Sequence, residues 1–118
     1  MIVYLAHPVR PIDGETYGKN LELARLYLRA MIQRQINAIA PWLQPLLLGW
    51  VNDSDERARE LGLRQMHAIA ARCDVIALCG PRVSPGMLAE MRDHPHPIPL
   101  TGLTPYDAAR KLRKYLGG

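Results

Sequence analysis

Residues 73–90 read CDVIALCGPRVSPGMLAE, and the fold turns on this stretch. Asp74 to Cys79 (DVIALC) is a short, continuous apolar run opened by an acid. A run of this kind bounded by turn signals predicts a strand buried on both faces. Gly80 to Gly86 (GPRVSPG) holds two glycines and two prolines and predicts a loop. Ser84 followed by Pro85 then supplies a helix start, a capping hydroxyl before proline at the first helical position. A short helix is expected over residues 85–93.

The same grammar repeats outward. Residues 2–6 (IVYLA) form a second apolar run, ending at His7-Pro8, and residues 7–15 (HPVRPIDGE) read as a loop. Residues 37–40 (NAIA) before Pro41 suggest a short strand, and residues 98–100 (IPL), among prolines, a last and edge-like one. Helical periodicity runs from Thr16 to about Ile36, with Leu21, Ala24, Leu28 and Met31/Ile32 on one stripe. A second helix is expected from a cap at Asp53 or Ser54 to about Arg72, with Ala58, Leu61, Met66, Ile69 and Ala70 inward. Thr104-Pro105 with Asp107 starts a final helix whose buried stripe is Ala108, Leu112 and Leu116. Strands alternating with helices, the strands being continuous apolar runs, predict an α/β fold: a small doubly wound, Rossmann-like or flavodoxin-like parallel sheet of four to five strands flanked by helices. Ligands of such sheets bind outside the carboxyl ends of the strands. The loops to examine are therefore 7–15, 41–54, 80–90 and 101–104.

At 118 residues the chain reads as one domain, 1–118. A composition 48 % hydrophobic and 22 % charged excludes intrinsic disorder. No apolar run approaches the ~20 residues of a bilayer span, so no membrane partner is expected. The opening MIVYLAHP lacks the basic region and small-residue cleavage site of a signal peptide. Cys73 and Cys79 fit neither a CxxC nor a zinc spacing and read as small buried hydrophobes. This cysteine usage points to a reducing cytoplasm. Residues 42–51 (WLQPLLLGWV) carry more apolar surface than so small a domain readily covers, which suggests a homo-oligomer.

Fifteen Lys and Arg, twelve of them Arg, against eleven Asp and Glu give a net charge of +4. That excess invites an anionic partner, and arginine suits bidentate recognition of phosphate or carboxylate. The C-terminal basic face of Arg110, Lys111, Arg113 and Lys114 lacks aromatic interleaving beyond Tyr115, so nucleic acid is not the expected partner. His94 and His96, beside Asp93, are held apart by the restrictive Pro95 and find no Cys or further acid nearby, and neither a metal nor a cofactor is expected.

Chemistry concentrates in two loops. In SPGMLAE the backbone N–H groups of Gly86 and Met87 are expected to point out of a helix N-terminus as an anion site, joined by the Ser84 hydroxyl. Glu90, four residues after Gly86, leans back over it. In YLAHPVR, Tyr4, His7 and Arg10 offer a phenol, an imidazole and a guanidinium after the first strand, and Arg82 is a further cation in the 80–86 loop.

YLAHPVR, CDVIALCG and SPGMLAE, in this order and spacing, resemble the nucleoside 2-deoxyribosyltransferase-like superfamily over about residues 1–100. The likeness is nearest to its nucleotide N-glycoside hydrolase branch. The resemblance implies that Glu90 is the nucleophile at the anomeric carbon and that Tyr4 orients it. It implies that Asp74 contacts base or sugar and aids leaving-group protonation, and that Ser84 and Arg10 bind a 5'-phosphate. The expected activity is hydrolysis of a (deoxy)nucleoside 5'-monophosphate to nucleobase and sugar 5-phosphate. Alternatives are nucleotide or nucleotide-signal binding without turnover, and base transfer. The transferases use an asparagine donated by a neighbouring subunit near the C-terminus, and here no asparagine follows Asn52. Gly86 also lies four residues before Glu90, where the family glycine lies two before, and His7-Pro8 replaces a pair of small residues.

Overall fold

The computed structural model describes residues 1–43 and 56–117. Among them are four strands, β1 (Ile2–Ala6), β2 (Asn37–Ile39), β3 (Val75–Leu78) and β4 (Pro97–Pro99). Four helices accompany them: α1 (Tyr17–Gln33), α2 (Glu56–Arg72), α3 (Pro85–Met91) and α4 (Pro105–Tyr115). The strands pair in parallel in the order β2-β1-β3-β4. β1 runs alongside β3 in the register Val3↔Val75 to Ala6↔Leu78.

Both faces of the sheet are covered, and strand alternation shows how. Val3, Leu5, Val75, Ala77 and Cys79 share one core with Tyr27 and Met31 of α1 and Ala108, Ala109 and Leu112 of α4. Tyr4, Ala6, Ile76 and Leu78 point the other way, into a core with Met66 and Ala70 of α2 and Met87 of α3. Two-sided burial is why these strands read as unbroken apolar runs rather than as alternating ones. The expected doubly wound α/β architecture is the one observed, with four strands.

Local capping follows the sequence. Thr16, Ser84 and Thr104 each accept a hydrogen bond from the backbone N–H three residues on, at 3.1–3.2 Å, as N-caps of α1, α3 and α4. Such caps are worth about 1 kcal/mol each. In α1 the buried residues are Asn20, Ala24, Tyr27 and Met31, whereas Ile32 is exposed. In α2, Leu61 (52 % exposed) and Ile69 (37 % exposed) do not face inward as expected. The buried stripe of that helix passes through Met66 and Ala70, and Leu61 lies about 180° from Ala70 at 100° per residue. The expected caps of α2, Asp53 and Ser54, and most of the apolar segment 42–51 lie outside the described residues. Trp42 is described and buried, its indole N–H donating to the Leu5 carbonyl at 2.7 Å.

Among the described residues, no helix is long and apolar enough to cross a membrane. Cys73 and Cys79 are buried free thiols, and burial pushes Cys79 up to about 12. His94 has both ring nitrogens engaged, one with the Cys73 carbonyl at 3.0 Å and one with the His96 N–H at 2.9 Å.

Candidate functional site

In a parallel sheet whose order reverses between β1 and β3, the loops that leave these strands diverge to opposite faces and open a crevice. A pocket of about 400 Å³ fills that crevice. Its lining includes His7, Val9, Arg10 and Ile12 from the loop after β1, and Arg82, Ser84, Gly86, Met87 and Glu90 from the loop after β3 and α3. α2 supplies a third wall with Ala58, Arg59, Gly62, Leu63 and Met66, and Trp42 supplies part of a fourth.

Glu90 is the chemical centre of this pocket. It is only 7 % exposed and receives a hydrogen bond from the Tyr4 hydroxyl. Tyr4 is wholly buried in the middle of β1. Burial raises the Glu90 carboxyl to about 7, against a smaller lowering by the Tyr4 bond. The same burial, with the Glu90 charge beside it, holds the Tyr4 phenol far above its ordinary value. Tyr4 therefore stays protonated, and a donor, at neutral pH. At neutral pH Glu90 exists as both carboxylate and acid, so it can attack as a nucleophile or transfer a proton.

The loop after β1 is held by a strut. Glu15 accepts from Arg82 through both oxygens, at 2.8 and 3.1 Å, from Asn20 Nδ2 at 3.1 Å and from the Ile12 N–H at 3.2 Å. Asn20 also donates to the Val9 carbonyl and Arg82 to the Arg10 carbonyl. Arg82 heads the causes that lower the Glu15 carboxyl to about 2. Arg82 lines the pocket, as the sequence places it, but not as an unmatched cation. Its charge is matched by Glu15, and it fixes the path of residues 9–15.

Two expectations are corrected. Asp74 is not in the pocket. Its carboxylate accepts from the Ile2 N–H at 2.6 Å, and its own N–H donates to the Ile2 carbonyl. It closes the amino end of the sheet, on the far side from the loops that follow β1 and β3. The Met87 N–H, expected to be open to an anion, instead donates to Ser84 Oγ, and Met87 Sδ accepts the Ser84 N–H at 3.3 Å. The seven-residue α3 closes its own first turn in this way. What Ser84 still offers the pocket is its hydroxyl proton. A Cβ at Gly86 would meet nothing closer than 3.8 Å, so the protein itself does not demand glycine there.

His7 is 3 % exposed, and burial lowers its imidazole. Nδ1 lies 2.8 Å from the Pro8 carbonyl and so carries the proton, which leaves Nε2 an acceptor, buried with no partner among the described residues. The ring packs over Gly80, whose φ of +96° makes the close approach possible.

Residues 1–96 match a domain of unknown function, DUF7768. The chain belongs to the DUF7768 family. The DUF7768 match runs from β1 past the end of α3, so it takes in Tyr4, Glu90 and both loops of the crevice, and it stops just before β4. No curated protein and no solved structure matches the chain. Arg59, Leu63 and the Glu15 strut were not singled out from the sequence. The signal for Arg59 was present in the helical wheel of α2, where it lies about 20° from both Met66 and Ala70.

Proposed function

We propose that this protein hydrolyses the N-glycosidic bond of a (deoxy)nucleoside 5'-monophosphate. The observation that carries the reading is a buried carboxylate, Glu90, held by Tyr4 at a crevice with both apolar walls and cations. The resemblance of YLAHPVR and SPGMLAE to nucleotide N-glycoside hydrolases supports it from the sequence side. The bond from the anomeric carbon to the base nitrogen breaks through an oxocarbenium-like state, its electron pair leaving with the base, which takes a proton from solvent; the carboxylate beneath the ring stabilises or captures the anomeric carbon, and water then attacks that carbon to release the sugar 5-phosphate. Tyr4 donates to Oε2 and orients the carboxylate, while Val9, Ile12, Leu63 and Met66 offer an apolar wall for a base. Arg10 and the Ser84 hydroxyl are the proposed partners of the 5'-phosphate. Glu90 is the carboxylate this mechanism uses, and Asp74 has no part in it.

Chromatography of reactions with a panel of nucleosides and 5'-monophosphates tests the proposal. Free base must appear, and must exceed that from Glu90→Gln; if no substrate does so, the hydrolase reading fails. Tight nucleotide binding without product, unaffected by Glu90→Gln, would select a binding protein instead. The proposal includes a cytoplasmic homo-oligomer, in keeping with the free thiols and the apolar residues 42–51. A monomer by light scattering at micromolar concentration would sink the oligomer.

A further inference from the structure

We infer that Arg59, on α2, binds the anionic group of the ligand from the wall opposite Ser84. The inference rests on the mononucleotide reading above and adds a residue which that reading does not contain.

Three arginines line the pocket, Arg10, Arg59 and Arg82. They are not equivalent. Arg82 is matched by Glu15 in a two-bonded ion pair and donates to the Arg10 carbonyl. Arg59 makes no hydrogen bond or ion pair with any described residue. Glu60, its neighbour, turns to the outer face and bridges Arg64 at 3.0 Å. A half-buried arginine that lines the cavity and is paired with no carboxylate among the described residues is a cation held ready for an anion from solution.

The helix geometry says where that anion would sit. Arg59, Leu63 and Met66 recur at i, i+4 and i+7 and form one stripe of α2 toward the pocket. Leu63 stands against α3, since a Cβ on Gly86 would lie 3.8 Å from Leu63 Cδ2. α2 runs antiparallel to the strands, so its first turns stand at the pocket mouth. Arg59 is one helical turn, ~5.4 Å, nearer the mouth than Leu63, and its side chain leans further that way. That puts the guanidinium above the Ser84–Gly86 turn. At Gly62 a Cβ would meet nothing within 4 Å among the described residues. The apolar stem can lie along the wall while the charged head takes a phosphate at the rim. A sugar phosphate with its anomeric carbon at Glu90 would then have its phosphate between Arg59 and the Ser84 hydroxyl.

Calorimetric titration tests this with 5'-monophosphates of the common bases, the matching nucleosides, and ribose and 2-deoxyribose 5-phosphates. Arg59→Gln should shrink the monophosphate-over-nucleoside preference by roughly tenfold or more, with Arg59→Lys intermediate. The salt dependence of monophosphate binding should flatten in Arg59→Gln, and nucleoside affinity should stay level. Arg64→Gln, on the outer face of the same helix, should leave every affinity unchanged. If wild type prefers monophosphates and Arg59→Gln keeps that preference with an unchanged melting temperature, the inference is overturned and the mononucleotide reading stands. If wild type binds no phosphorylated member of the panel better than its nucleoside, the reading falls and the inference with it.

Discussion

Replacing Glu90 with glutamine should abolish turnover and at the same time stabilise the fold above neutral pH. Burial raises the Glu90 carboxyl from an ordinary 4.5 to about 7. Between these values the unfolded chain loses the Glu90 proton before the folded chain does. The folded state then binds more protons, and stability falls as pH rises through this window. The contribution is intact below 4.5 and spent above about 7. A difference of about 2.5 units at 1.36 kcal/mol each gives about 3 kcal/mol at pH 8. Glutamine has nearly the same shape, keeps an acceptor for the Tyr4 hydroxyl and carries no charge to desolvate. Urea unfolding of both proteins at pH 5, 6, 7 and 8, followed by circular dichroism, checks the sign and the size. The two should coincide near pH 4.5 and diverge steadily, with Glu90→Gln ahead by about 3 kcal/mol at pH 8, on the order of 10 °C in melting temperature. Parallel curves across the range would refute the claim that the fold holds a costly carboxylate. A group retained against stability in a cavity is the pattern expected of a working site.

Three further outcomes follow from the same geometry. Tyr4→Phe removes a donor that favours the ionised carboxylate, so the midpoint of the pH-dependent stability loss should move above about 7; an unmoved midpoint would mean that the bond does not couple. Glu15→Gln leaves Arg82 without its counter-charge and slackens residues 9–15, so apparent ligand affinity should fall by roughly tenfold while kcat changes less; a kcat loss with unchanged KM would contradict the strut. Gly80→Ala sets a Cβ 2.8 Å from His7 Nε2 and 2.9 Å from Pro8 Cδ at a φ of +96°, and should cost about 1–3 kcal/mol in chemical denaturation; an unchanged midpoint would show that the loop after β1 yields freely.

The strands were legible because a sheet covered on both faces leaves no polar position to break the run. IVYLA and DVIALC announce themselves, and β1 and β3 fall there within a residue. Helix faces were harder, because residue type and angular position disagree in α2. Leu61 and Ile69 look like core by type, yet the wheel that buries Met66 and Ala70 turns Leu61 to solvent and brings Arg59 inward. An arginine on a core stripe is a conflict between local pattern and side-chain chemistry, and such conflicts tend to fall where a core ends and a site begins. Asp74 shows the converse. Its acid looked chemical by type, but a residue that opens a parallel strand lies at the end opposite the crevice, and four residues of β3 at ~3.3 Å each carry the chain away from it. The Tyr4–Glu90 pair spans 86 positions, and no local spacing could bring it together. It was reached by resemblance, and the topology supplies its physical reason. β1 and β3 are neighbours because the chain reverses direction across the sheet there, and that reversal opens the crevice in which the buried carboxylate sits.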